Sequence, residues 1–208
     1  TRPDQPDAAL GRIEVHAGAV HGVLLESGER IAAPVVAANT DPKLTLLRLL
    51  GEEHLDPGFA RDIRAFRQES ASLRMNLALG GLPEFAALPG TDIGPQHRAS
   101  ITLIESAGHL DAAWRSARAG HPANPPIIEA IIPSSIDDTL TDQPGHHVMS
   151  LLCKYMPYDL AGGESWDARK ADVIESILDY VSRFVPNLRD ILVGVQCMTP
   201  LDIERTLG

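Results

Sequence analysis

Residues 71–79, ASLRMNLAL, alternate with a period of two. Ala71, Leu73, Met75, Leu77 and Leu79 fall on one side, and Ser72, Arg74, Asn76 and Ala78 on the other. Successive side chains of a strand point to opposite faces, so this spacing predicts a strand with one face in the core. Two further apolar runs, 127–132 and 148–156, are short, bounded by Pro and Gly, and rich in residues that suit a pleated surface. Each predicts a buried strand. Shorter runs at 13–15, 20–25 and 31–38, with turns at Gly18 and at Ser27-Gly28-Glu29, predict a small N-terminal β-meander. Residues 98–105 and 191–198 predict two more strands.

A 3.6-residue period appears in between. Asn39, Thr40 or Asp41 can cap a helix, Pro42 suits its first turn, and Leu44, Leu47 and Leu50 form a stripe that Gly51 stops. A second helix follows Asp56-Pro57, with Phe59, Ile63 and Phe66 on one face, and a third covers 110–119. The widest apolar face is Val173, Ile174, Ile177, Leu178, Val181 and Val185, on a helix starting near Ser165 and ending at Pro186. Pro200 opens a last helical turn, and the Gly and Pro punctuators of 83–97 predict a surface loop. Strands joined by hairpins and occasional helices, without βαβ alternation, predict an α+β fold. Its sheet is expected to be mixed but largely antiparallel, with helices packed on one face, plus the small meander.

Composition narrows the function classes. A 208-residue chain with 44% hydrophobic and 22% charged residues can bury a sizeable core. Its net charge of -10 speaks against nucleic acid or an anionic membrane as partner, because both recruit clustered Lys and Arg. Cys153 and Cys197 each sit in an apolar run, far apart in sequence, which predicts reduced, buried thiols on neighbouring strands. No apolar run reaches the roughly 18 residues of a membrane span, and the opening TRPDQPDAAL is not a signal peptide. A cytoplasmic protein is expected.

The chemistry-bearing residues are sparse. A dinucleotide cradle needs a Gly-rich turn between a strand and a helix, and Leu160-Ala161-Gly162-Gly163 has too few glycines for one. His146 and His147 are adjacent and so point to opposite sides of a strand, while His97, His109 and His121 are scattered; no metal set emerges. Ser134-Ser135 lacks the glycines of a nucleophile elbow and reads as a turn cap, and Asp137-Asp138 as a solvated turn. No catalytic residue is assigned. Arg74 and Asn76 lie on the polar side of their strand, facing either water or a cavity. Tyr155 and Tyr158, flanking Met156-Pro157 at a strand end, either pack in the core or line a pocket.

The runs IPSSIDDTL and GHHVMSLLCKYMPYDLAGGESWD resemble the middle region of phytoene desaturase-like FAD-dependent oxidoreductases. The resemblance extends to VVAANTDPKLT (35–45), to Leu82-Pro83-Glu84-Phe85 and to TPLDIERTLG (199–208). It implies that residues 1–40 are a meander left from the FAD-binding domain. Residues 41–208 are then a substrate-binding domain, truncated before a C-terminal FAD-binding segment. FAD would belong to the full-length parent, held by segments outside this chain, with no cofactor expected in the fragment, which should be colourless and inactive. The parent would pass hydride from a C–C or C–N bond of an apolar or amphipathic small molecule to flavin. Arg74, Asn76, Tyr155 and Tyr158 would contribute to the cavity wall. The rival reading is a non-catalytic α+β binding or oligomerisation module that holds a partner on its sheet face. Homo-oligomer formation stays open under both readings.

Overall fold

The computed structural model describes residues 9–67, 71–90 and 92–207. The chain divides into two compact units, Thr1–Arg67 and Gln68–Gly208. The helical segments that follow the meander belong to the first unit.

In the first unit, β1 (Leu10–His16), β2 (Ala19–Leu25) and β3 (Arg30–Ala32) form an antiparallel meander in that order. Ala17 and Gly18 both take positive φ, 48° and 76°, between the paired residues His16 and Ala19. That is the backbone twist a two-residue hairpin loop requires. The third strand, expected to reach Ala38, stops at Ala32; Pro34 has no N–H to extend the ladder. The helix expected around Leu44, Leu47 and Leu50 is a π-helix, Leu44–Gly51. The Asp41 carboxylate accepts from the N–H groups of Lys43 and Leu44 before it, and Gly51 ends it at φ 94°.

Helix α1 (Pro57–Ala65) is capped by Asp56, whose carboxylate accepts from the N–H groups of Gly58 and Phe59. Its expected apolar face is not the buried one. Phe59 and Phe66 are 46% and 53% exposed, and the buried residue is Ala60. An apolar stripe shows which side chains share a helix face, not whether another element covers them.

The second unit contains β4 (Ala71–Leu79), α2 (Pro95–Arg98), β5 (Ile101–Leu103), α3 (Ala107–Arg118), β6 (Ile127–Ile131), β7 (His147–Met156), α4 (Trp166–Ser182), α5 (Leu188–Ile191), β8 (Leu192–Met198) and α6 (Pro200–Leu207). Its five strands pair antiparallel in the order β5-β6-β7-β4-β8. The fold is therefore α+β. Because β7 and β8 both run antiparallel to β4, they are parallel to each other, and α4 carries the chain from one to the other with β4 between them.

This order corrects the expectation for the cysteines. Both are unpaired and buried, but Cys153 sits opposite Leu73 on one side of β4 and Cys197 opposite Met75 on the other. They are not on neighbouring strands. The strand expected over 98–105 shortens to 101–103, because Pro95 opens the short α2 and His97 is fully buried there.

One sheet face carries the core. Leu73, Met75 and Leu77 of β4, Met149, Leu151 and Cys153 of β7, and Ile128 and Ala130 of β6 have no exposed surface. They share a single cluster with Ile177, Leu178 and Val181 of α4. Each buried Leu or Met contributes about 1.5–3 kcal/mol of transfer free energy. The helix is placed by its start: Ser165 Oγ accepts from the Ala168 N–H, and the buried Trp166 indole N–H donates to the carbonyls of Pro157 and Tyr158, both at 3.1 Å. A satellite cluster of Ala113, Ala123 and Ile127, with Tyr155 against it, anchors α3. Among the described residues, no helix is long and apolar enough to cross a membrane.

Candidate functional site

The opposite face of the sheet is built by the same registers. Strand pairing places Leu152, Arg74 and Met198 in one row across β7, β4 and β8; Ser150, Asn76 and Gln196 in the next; and Val148, Ala78 and Gly194 in the third. Cross-strand partners share a face, so these nine residues form one surface. Arg74, Ala78 and Gln196 are exposed, Asn76 is half-buried, and Ser150 is buried at 8%.

The first two rows are wired together. Arg74 Nη1 donates to Ser150 Oγ at 2.9 Å, the Ser150 hydroxyl donates to Asn76 Oδ1 at 2.7 Å, and Asn76 Nδ2 donates to Gln196 Oε1 at 3.0 Å. Farther across, Lys154 Nζ meets the Glu129 carboxylate at 2.7 Å. The sequence reading named Arg74 and Asn76, and the structure brings them together. It missed Ser150 and Gln196. The period of β7 held the signal, since Ser150 falls between the apolar Met149 and Leu151.

At the third row the face opens onto a cavity of about 420 Å³, lined by Ala78, Leu140, Asp142, His146, His147 and Val148 among others. Ser134 Oγ accepts from the Val148 N–H at 2.9 Å and lies 3.2 Å from His147 Nδ1, the imidazole tautomer setting which of the two donates. Burial, then the neighbouring His97 and His146, pushes the His147 pKa below its ordinary value, which favours the neutral ring. Ser135 Oγ donates to the His97 carbonyl at 2.7 Å. The His97 ring bridges the Gly94 N–H, 3.0 Å from Nδ1, and the Pro83 carbonyl, 2.9 Å from Nε2. Ser134 and Ser135 thus tie β7 and α2 to the turn between β6 and β7.

The two tyrosines lie outside the hydrogen-bonded row. Tyr155 packs edge-on against Trp114 with ring centroids 5.2 Å apart. Tyr158 is 42% exposed and its hydroxyl donates to the Glu204 carboxylate of α6. That hydrogen bond is the main cause raising the Tyr158 phenol pKa, followed by burial and the Glu204 charge.

Among the described residues, no group of three or more His, Cys, Asp and Glu could hold a metal ion. The first unit has a separate cavity of about 510 Å³ whose lining includes Arg12, Arg30, Arg48, His16, His21 and His54. Two of these guanidinium groups, Arg12 and Arg30, lie within 3.5 Å of the Glu14 carboxylate.

No protein-family model matches the chain. The rat (Rattus norvegicus) protein named pyridine nucleotide-disulfide oxidoreductase domain-containing protein 2 is 34% identical over 208 residues, covering 97% of this chain and 36% of that protein. The chain is similar to one part of that protein. The mouse (Mus musculus) protein of the same name is 33% identical over 205 residues, covering 96% of this chain and 35% of the relative. The chain therefore spans about a third of the length of the curated relatives it matches. Among solved structures, a Pyrococcus furiosus protein and a Methanosarcina mazei oxidoreductase both align with a TM-score of 0.49, at 14% and 16% identity. Each alignment covers 91% of this chain and 36% of the other.

Proposed function

We propose that this chain is an oxidoreductase-family domain: the substrate-binding part of an FAD-dependent, phytoene dehydrogenase-like enzyme that removes hydride from an apolar or amphipathic small molecule. The observation that carries the reading is the 34% identity, over 97% of the chain, to a relative named for an oxidoreductase domain. The sheet supports it with a division of labour, one face closed by α4 and the other left uncovered by it, polar and organised.

The residues present do not fit a pyrophosphate cradle. Gly162 and Gly163 lead into Ser165, whose hydroxyl already satisfies the start of α4. The flavin phosphates therefore belong to other parts of the parent, where the flavin would accept the hydride. This chain binds and orients. Leu152, Met198 and Val148 give apolar wall, and the Arg74–Ser150–Asn76–Gln196 row fixes polar groups at defined positions.

The test uses the full-length parent. It is expected to purify with a yellow flavin that small amphipathic substrates bleach anaerobically, while the 208-residue chain stays colourless. Asn76→Leu is expected to slow bleaching about tenfold or more by removing positioning hydrogen bonds, and Tyr158→Phe to slow it less. A colourless parent overturns the reading. If both variants melt several degrees lower yet bleach normally, these residues are structural.

A further inference from the structure

The hydrogen-bond row on the open face has a direction. Arg74 can only donate, so Ser150 Oγ must accept from it, the one Ser150 proton goes to Asn76 Oδ1, and Asn76 then donates to Gln196 Oε1. Each acceptor oxygen in the row is engaged from within. What remains outward is the rest of the Arg74 guanidinium, one Asn76 N–H and the Gln196 amide N–H groups. The surface is therefore cationic and rich in unspent donors.

Its charge is also uncompensated. In a chain of net charge -10, Arg64, Arg115, Arg183, Arg189 and Arg205 all meet carboxylates, whereas Arg74 forms no ion pair among the described residues. An anion with planar acceptor geometry matches such a fork.

Next to the donors lie apolar and small residues. Val148, Ala78 and Gly194 form the third row, and a Cβ at Gly194 would meet nothing closer than Ala78 Cβ at 4.0 Å, so the surface is low there. That row leads into the 420 Å³ cavity. Arg74 and Ala78 are four residues apart on one strand, about 13 Å at roughly 3.3 Å per residue.

We propose that this face binds an amphipathic carboxylate. Its carboxylate sits on Arg74, with the Asn76 and Gln196 amides beside it, and its apolar tail runs over Val148, Ala78 and Gly194 into the cavity. Calling that ligand the substrate rests on the reading above; the binding itself does not.

The 208-residue chain, whose second unit closes its own core, is titrated with decanoate, butyrate and 1-decanol while the Asn76 and Gln196 side-chain amide resonances are followed by NMR. Decanoate is expected to shift both saturably, with 1-decanol and butyrate each about tenfold or more weaker. Arg74→Gln should lose the preference for decanoate over 1-decanol, Arg74→Lys should keep only part of it because an ammonium supplies the charge without the planar fork, and Gly194→Leu should weaken decanoate but not butyrate. Equal binding of decanoate and 1-decanol to the unsubstituted chain overturns the proposal without any variant. So does unchanged decanoate binding in Arg74→Gln. A parent that holds no flavin while decanoate binds here would sink the flavoprotein reading and leave this site standing; a flavin-bearing parent indifferent to decanoate would do the reverse.

Discussion

On one side of β4, Leu73, Met75 and Leu77 are fully buried and Leu79 is 1% exposed, in one core with α4. On the other side of the same nine residues, Arg74 and Ala78 are exposed and Asn76 is held laterally by its two neighbouring strands. Both faces share one backbone ladder. They differ in how their side chains are satisfied. The first face is stabilised by removal from water, which requires a covering layer. The second meets its polar needs within the sheet, so it stands without a cover and leaves donors for a ligand.

The sharpest way to break the contrast is truncation on the closed face. Leu77→Ala is expected to cost about 2–5 kcal/mol by guanidinium denaturation, from lost transfer free energy plus the cavity left behind. The thiols report on the same face. Burial pushes the Cys153 pKa up strongly and that of Cys197 to about 11, so both should resist alkylation in the folded chain and react fully in denaturant. Rapid labelling of Cys153 in the native state would show the core to be open.

A smaller effect is expected at the start of α6. The Thr199 backbone N–H and hydroxyl and the Lys170 ammonium hold Asp202 at a pKa of about 2, below its ordinary 3.8. A depressed carboxylate contributes stability that is complete above its unfolded-state value and lost as pH falls through the folded one. Asp202 should therefore stabilise the chain by about 1 kcal/mol after solvent screening, a contribution lost between pH 3.8 and about 2. Asp202→Asn should flatten the acid limb of a plot of stability against pH in that window. The smallest effect belongs to the open face: Arg74→Gln should change stability by no more than about 0.5 kcal/mol. A loss comparable to that of Leu77→Ala would mean that the open face is structural too.

The local pattern was enough for β4, for β7 to within one residue and for the start of α4 near Ser165, because period and breaker residues all lie within a few positions of one another; the helix expected to reach Pro186 ends at Ser182. It also placed Arg74 and Asn76 on the side away from the apolar stripe. It did not contain the partners. Ser150 and Gln196 are 74 and 120 positions from Asn76, which they both bond, and only the insertion of β4 between β7 and β8 makes them neighbours.

The same strand order separated the two cysteines. Tertiary packing likewise buried His97 between Gly94 and Pro83, left Phe59 and Phe66 exposed, and took Tyr155 and Tyr158 to Trp114 and Glu204. Periodicity determines which side chains share a face, since that follows from the backbone geometry of a single segment. What each face meets depends on which distant segments pair and pack, and in this chain that was decided only by the assembled sheet.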